Sequence, residues 1–236
     1  MAAKRSILVI GAQGGIGRAV TSRLEAAGCS VTGVDLPELD LAQRNVVATH
    51  VARLWAERGG FDALVHAAGV FPVAPVAASD EDLFDRVMAV NTRSALSAGA
   101  QFVGNCLAAG RPGTLVFVSS GAAVRARPGT AVYAASKAAL DALVRGFALE
   151  HGRDGIRCCA VAPGFVNVES AINPVPRSYV EAVRKASVQG RIARPDDIAA
   201  VIAWLLSEDA CWVSGCTVPV DGGDGIGSVT APTWLT

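Results

Sequence analysis

Charge is scarce in this chain and it cancels: 18% of residues are Asp, Glu, Lys or Arg, 21 basic against 21 acidic, for a formal net charge of zero. The basic residues are spread along the chain, so nothing asks for nucleic acid or an anionic membrane as a partner. Long apolar runs are also missing. The run after Met1-Ala-Ala-Lys-Arg-Ser6 is only a few residues long, too short for the core of a signal peptide. The most apolar later stretch, Ala63 to Ala78, is broken by His66, Pro72 and Pro75 and falls short of a membrane span. A soluble, cytoplasmic protein is expected. Six cysteines occur, at positions 29, 106, 158, 159, 211 and 216, but none forms a CxxC pair and their flanks are apolar. That pattern argues against metal ligation and a disulfide framework and for buried, reduced thiols. No internal repeat, low-complexity segment or linker interrupts the chain, and residues 1–236 read as one domain.

What is present is apolar surface, 51% of residues, enough for a large core. It comes as short continuous runs alternating with helical patterns, which predicts an α/β fold: a Rossmann-type, doubly wound parallel sheet in three αβα layers. Strands are expected at Ser6–Ile10, Ser30–Val34, Ala63–Ala67, Thr114–Val118, Arg157–Ala162 and Cys216–Val220. Helices are expected over Arg18–Ala27, Gln43–Arg58, Glu81–Ala109, from Tyr133 to about His151, briefly over Tyr179–Ser187, and from Pro195 to Ser207.

The first strand runs into Gly11-Ala-Gln13-Gly-Gly15-Ile16-Gly17, then a helix, then a second strand with Asp35 at its end. Glycines let backbone N–H groups approach a pyrophosphate, the helix N-terminus favours its charge, and a carboxylate after the second strand binds a ribose diol. This unit predicts dinucleotide binding. The Asp35 carboxylate would repel a 2′-phosphate, and neither Gly14 nor Leu36 supplies a cation to attract one, so NAD(H) is favoured over NADP(H).

Tyr133 and Lys137 stand four residues apart and share one helix face. An ammonium beside a phenol favours phenolate and lowers a pKa that starts near ~10. Ser120 emerges from the fourth strand on the same sheet edge as the glycine turn, and a loop with Pro128 and Gly129 folding back would set it opposite the phenol. The three side chains would then bracket a carbonyl oxygen. Asn91 lies mid-helix, either as a surface residue or as one that bends the backbone or holds water. Phe71, in the proline-marked loop Val70–Ala78, either faces a substrate or packs on the scaffold. The long irregular segment from about 165 to 190 reads as a substrate lid. The tail Asp224–Thr236, with Trp234, is apolar enough to pack somewhere, at a place the sequence does not specify.

Together these residues resemble the classical short-chain dehydrogenase/reductase family, from Ser6 to Gly223. The resemblance rests on the glycine turn, His66-Ala67-Ala68-Gly69, Asn91, Ser120, Tyr133-Ala-Ala-Ser-Lys137, Pro163-Gly164 and Asp221-Gly-Gly223. It implies Tyr133 as general acid/base, Lys137 tuning it and holding the nicotinamide ribose, Ser120 bonding the reacting oxygen, and Asn91 holding a water. It implies cofactor contacts from Asp40 and Leu41 at the adenine, from Ala67, Ala68 and Gly69, and from Pro163, Gly164 and Val166; Phe71 and Phe165 would face the substrate. The implied reaction moves a hydride between NAD(H) and a secondary alcohol or ketone. The alternatives are oxidation of a cyclic dihydrodiol, with Arg125, Arg127 or Arg177 near the pocket binding a carboxylate or simply solvated, and a catalytically idle dinucleotide-binding sensor or structural subunit. No metal is implied. Pairing of the two long helices between subunits implies a dimer or tetramer. Four departures from the family pattern stand out: Ile10 replaces a Thr, His66 an Asn and Val168 a Thr, and the helix and strand usual between Asp35 and Asp40 are almost absent.

Overall fold

The computed structural model describes residues 4–125, 127–168 and 175–227. Six strands form one sheet: β1 Ser6–Ile10, β2 Ser30–Val34, β3 Ala63–His66, β4 Gly113–Val118, β5 Ile156–Pro163 and β6 Thr217–Val220. Every neighbouring pair is parallel, in the order β2-β1-β3-β4-β5-β6. Parallel neighbours need crossover connections, and these are helices: α1 Gly15–Ala26, α2 Val46–Arg58, α3 Glu81–Met88, α4 Ser94–Ala109, α5 Ala131–His151, α6 Arg177–Ala186 and α7 Pro195–Leu206.

The continuous apolar runs are explained by burial on both faces. Alternate residues of one strand serve different layers: Leu8, Ile10, Leu64, Leu115 and Phe117 face α2, α4 and α5 through Val51, Phe102 and Leu140. Ile7, Val9, Val65 and Val116 face α1 and α7 through Val20, Leu24, Ile198 and Ile202. The expected three layers are present, with a core on each side of the sheet. Strand order reverses between β1 and β3, which opens a crevice at the carboxyl edge of the sheet, where such folds bind ligands.

Several expectations are corrected. The helix expected over Glu81–Ala109 is two helices joined by a single π-helical turn, Ala89–Arg93, with Asn91 at its centre. Helix α2 starts at Val46 because Asn45 adopts a left-handed backbone, φ 63°. Cys106, Cys158 and Cys159 are buried, and burial pushes the Cys106 thiol up to about 11. Cys29 and Cys216 are only partly covered, and Cys211 is exposed in the turn after α7, contrary to a uniformly buried set. Trp234 and most of the tail lie outside the described residues.

Candidate active site

The turn between β1 and α1 is built by close approach. Gly11 has φ 84°, and a Cβ there would overlap the Ala68 backbone after β3; a Cβ on Gly17 would overlap the Gly11 carbonyl. Gly15 is covered instead by the side chain of Val168, which would collide with any Cβ at that position. Gly14, at the helix start, provides no side-chain cap, so the first-turn N–H groups of α1 remain available to an anion. Asp35 supports the turn from β2: its Oδ2 accepts from the Gln13 N–H at 2.8 Å and its Oδ1 from the Leu36 N–H at 2.8 Å. Beside them lies a cavity of about 340 Å³ lined by Ala12, Gln13, Gly33, Val34, Asp35, Leu36, Pro37 and Glu38. The uncapped start of α1, the glycine-built turn before it and the Asp35 carboxylate, which shares the cavity with Ala12 and Gln13 of that turn, fit a nicotinamide dinucleotide.

Asp40 and Leu41 are not among the residues lining that cavity. The Asp40 carboxylate caps its own turn, accepting from the Ala42 N–H at 3.0 Å and the Gln43 Nε2 at 3.4 Å. Leu41 packs on the core.

The second half of the site is assembled by the π turn. Asn91 is fully buried; its Oδ1 accepts from the Val70 N–H at 2.8 Å, while its Nδ2 donates to the Val70 carbonyl and the Ser136 Oγ, each at 3.0 Å. The carboxamide therefore welds the loop after β3 to α5, with both amide protons and one oxygen lone pair taken by protein. A π turn also releases backbone carbonyls from the i→i+4 ladder, which a bound water can use. Beneath the turn, the Ser94 hydroxyl donates to the Val90 carbonyl at 2.6 Å, and His66 Nε2 lies 2.8 Å from the same hydroxyl oxygen. Ser94 has one proton to give, so His66 donates through Nε2. Burial and the nearby Lys137 charge lower the His66 pKa to about 3, which keeps the ring neutral.

Tyr133 and Lys137 lie in α5, and Ser120 caps the short turn after β4, accepting from the Ala122 N–H at 3.1 Å. The Lys137 ammonium donates to the Val118 carbonyl at 2.7 Å and sits 5.8 Å from the centroid of the Tyr133 ring. Burial lowers the Lys137 pKa to about 8, with Asp141 one turn away acting in the opposite direction. The Tyr133 pKa is raised by burial, and the Ser120 side chain pulls it down. This corrects the expectation from spacing: in the protein as it stands the dominant influence on the phenol is the loss of water, not the lysine, whose proton is directed at a backbone carbonyl. Phe71 packs edge-on against Tyr133 with centroids 4.6 Å apart. Gly69 permits the β3 loop to press close: a Cβ there would lie 3.3 Å from Asn91 Oδ1 and 3.5 Å from Lys137 Nζ.

Phe165 follows β5 and meets Tyr179 of α6 edge-on at 5.7 Å, and Arg127 Nη1 donates to the Tyr179 hydroxyl at 3.3 Å. Pro163 ends β5, Gly164 packs close to Asp221, and Val166 bridges to Ala193. Residues 169–174 of the expected lid lie outside the described set. Sequence reasoning missed Ser136, Ser94, Tyr179 and Glu38. Ser136 sits inside the Tyr133–Lys137 interval and was the most accessible of them. Among the described residues, no group of three or more His, Cys, Asp or Glu is placed to hold a metal ion.

Residues 36–224 match the family model described as enoyl-(acyl carrier protein) reductase. The short-chain dehydrogenase/reductase eriH of Hericium erinaceus is 31% identical, with 94% of this chain and 98% of that protein covered. The chain belongs to the short-chain dehydrogenase/reductase family. The 3-oxoacyl-[acyl-carrier-protein] reductase MabA of Mycobacterium tuberculosis is 30% identical, with 94% of each chain covered. Among solved structures, 4-hydroxyisoleucine dehydrogenase complexed with NADH superposes with a TM-score of 0.87 at 25% identity, covering 95% of this chain and 100% of the other. As a member of this family the chain is an oxidoreductase. Three of the departures from the family pattern have structural places: Ile10 is core, His66 serves the π turn, and Val168 covers Gly15.

Proposed function

We propose that this protein moves a hydride between NAD(H) and a secondary alcohol or ketone, with Tyr133 as general acid/base. The observation that carries the reading is the convergence of Ser120, Tyr133 and Lys137 beside the glycine turn, with Asn91 anchoring the backbone between them. The bound nicotinamide supplies hydride acceptance and donation. The chain's own residues handle the oxygen and its proton. In oxidation the carbinol C–H gives up a hydride, the O–H proton passes to Tyr133 Oη, and Ser120 holds the oxygen by a hydrogen bond. Lys137, freed from the Val118 carbonyl, holds the ribose and supports the phenolate. In reduction the same phenol donates its proton.

Asp35 supports NAD over NADP, because its carboxylate faces the cavity where a 2′-phosphate would lie. Phe71 against Tyr133, and Phe165 against Tyr179 of α6, support a substrate place beside these rings with α6 as part of a lid. The single sheet supports reading 1–236 as one unit, and six cysteines outside any disulfide support a reducing, cytoplasmic setting. No described helix is long and apolar enough to cross a membrane.

The test is a panel of secondary alcohols, ketones and cyclic diols, followed by nicotinamide absorbance. Turnover of alcohols with NAD is expected; turnover confined to cyclic diols selects the dihydrodiol reading, and NADH binding without any turnover selects the idle one. The pH dependence follows from Tyr133 and Lys137. With the phenol pKa raised and Lys137 at about 8, both are protonated at pH 7, so ketone reduction should be flat from pH 6 to 7 and decline above about 8. A reduction rate that climbs through pH 8 and 9 contradicts the assignment.

A homo-oligomer is the expected assembly. Leu96 and Leu107 of α4 and Leu149 of α5 are exposed at 43%, 43% and 87%, on the two helices read as the subunit contact. Light scattering should give at least twice 24.1 kDa, and a monomer mass refutes it.

A further inference from the structure

The shortened connection after β2 does more than open the adenine side of the pocket. Leu39 is buried in the core and its N–H donates to the Asp35 carbonyl at 3.1 Å, so Glu38 is held between two fixed points and lines the same cavity as Asp35. Its Oε1 lies 3.2 Å from His50 Nε2 and 3.4 Å from Arg53 Nη2, both on α2. Arg53 Nη1 is taken by Glu57 at 2.8 Å. The guanidinium is thus clamped between Glu38 and Glu57, and the cavity wall itself carries two carboxylates, Asp35 and Glu38, and no Lys or Arg.

We infer that Glu38 is a second specificity-determining residue, which with Asp35 excludes a cofactor bearing a 2′-phosphate, and that Arg53 is a latent phosphate-binding group that Glu38 holds neutralised. The inference rests on reading the cavity as the adenosine site. A 2′-phosphate brings about −1.5 to −2 charges at pH 7, and it would meet two carboxylates and no unclaimed cation. The side chains of Glu38, Arg53 and Glu57 are about half exposed, at 54%, 48% and 47%. Pairs this exposed contribute little to stability. Their effect is therefore on which anion the cavity admits, and removing Glu38 leaves the fold intact. It also leaves Arg53 with Nη1 on Glu57 and Nη2 released from its carboxylate partner.

The experiment measures Kd for NADH and NADPH by nicotinamide fluorescence, at low and high salt, and needs no turnover. Asp35→Ala should improve the NADPH-to-NADH affinity ratio about 10-fold, Glu38→Ala should add about 10-fold to it, and both gains should shrink as salt screens the charges. In the Asp35→Ala/Glu38→Ala background, Arg53→Ala should remove at least about 5-fold of that ratio, because the guanidinium then carries the phosphate contact. The inference is overturned if Glu38→Ala changes both affinities alike, or if Arg53→Ala leaves the ratio unmoved. Wild-type protein that binds neither dinucleotide overturns the reading of the cavity along with it. Wild-type preference for NADPH overturns both the Asp35 and the Glu38 assignments while leaving the site itself in place.

Discussion

Replacing Tyr133 by Phe should reduce turnover about 10³-fold or more, with NADH still bound, since a positioned acid/base contributes about 10² to 10⁴ and Ser120, the other group assigned to the oxygen, holds it without exchanging its proton. The substitution is conservative in packing: the ring that Phe71 meets edge-on is retained, and only the hydroxyl is lost. Ser120→Ala should cost less, about 10² to 10³, because it removes one donor to the oxygen and leaves the proton donor in place. Steady-state rates with NADH fluorescence titrations alongside separate chemistry from binding. A Tyr133→Phe protein that keeps most of its activity removes Tyr133 from the relay.

The second large effect is on stability in acid. His66 is fully buried, with a folded pKa of about 3 against an ordinary 6.5, lowered first by burial and then by Lys137. Below pH 6.5 the unfolded chain binds a proton that the folded chain refuses, so stability falls as pH drops from 6.5 toward 3. The loss is about 2 kcal/mol by pH 5 and about 4 kcal/mol by pH 3, at 1.36 kcal/mol per pH unit until the folded ring itself begins to protonate. Total stabilities are about 5 to 15 kcal/mol, so this single ring contributes a sizeable share of the loss in acid. Lys137 does not confuse the measurement: with a pKa of about 8 it is charged throughout that window. His66→Asn keeps a donor toward Ser94 but does not titrate. Urea unfolding at pH 7.0 and 4.5 should show the wild type losing about 2 to 3 kcal/mol more than the variant between the two pH values. Equal losses would mean that His66 is solvated or already charged in the folded protein.

Much of the fold was legible because its signals are local. Runs such as Ala63–His66 and Gly113–Val118 must be strands buried on both faces, and a glycine turn followed by a helix and Asp35 defines the nucleotide unit within one short stretch. The π turn was not legible. Ala-Val-Asn-Thr-Arg continues a helical pattern, and what bends it there is the bonding of Asn91 to Val70 and Ser136, 21 and 45 residues away. The direction of the Tyr133 shift failed for a similar reason: sequence spacing places the ammonium near the phenol but does not reveal how far the fold withdraws each from water. Glu38 escaped notice because its partners His50 and Arg53 come from a helix that only the fold brings beside it. The length of the 36–40 connection signalled a difference without saying which side chain would fill the space.

The central claim is that hydride leaves the carbinol carbon while the hydroxyl proton goes to Tyr133. The measurement that tests it most directly uses a secondary alcohol from the panel deuterated at the carbinol carbon, oxidised with NAD, and mass spectrometry of the reduced dinucleotide. One deuterium in the nicotinamide ring, none in the water, and no product from the Tyr133→Phe protein are predicted. Deuterium released to solvent, or reduced dinucleotide formed equally by the variant, would contradict the account.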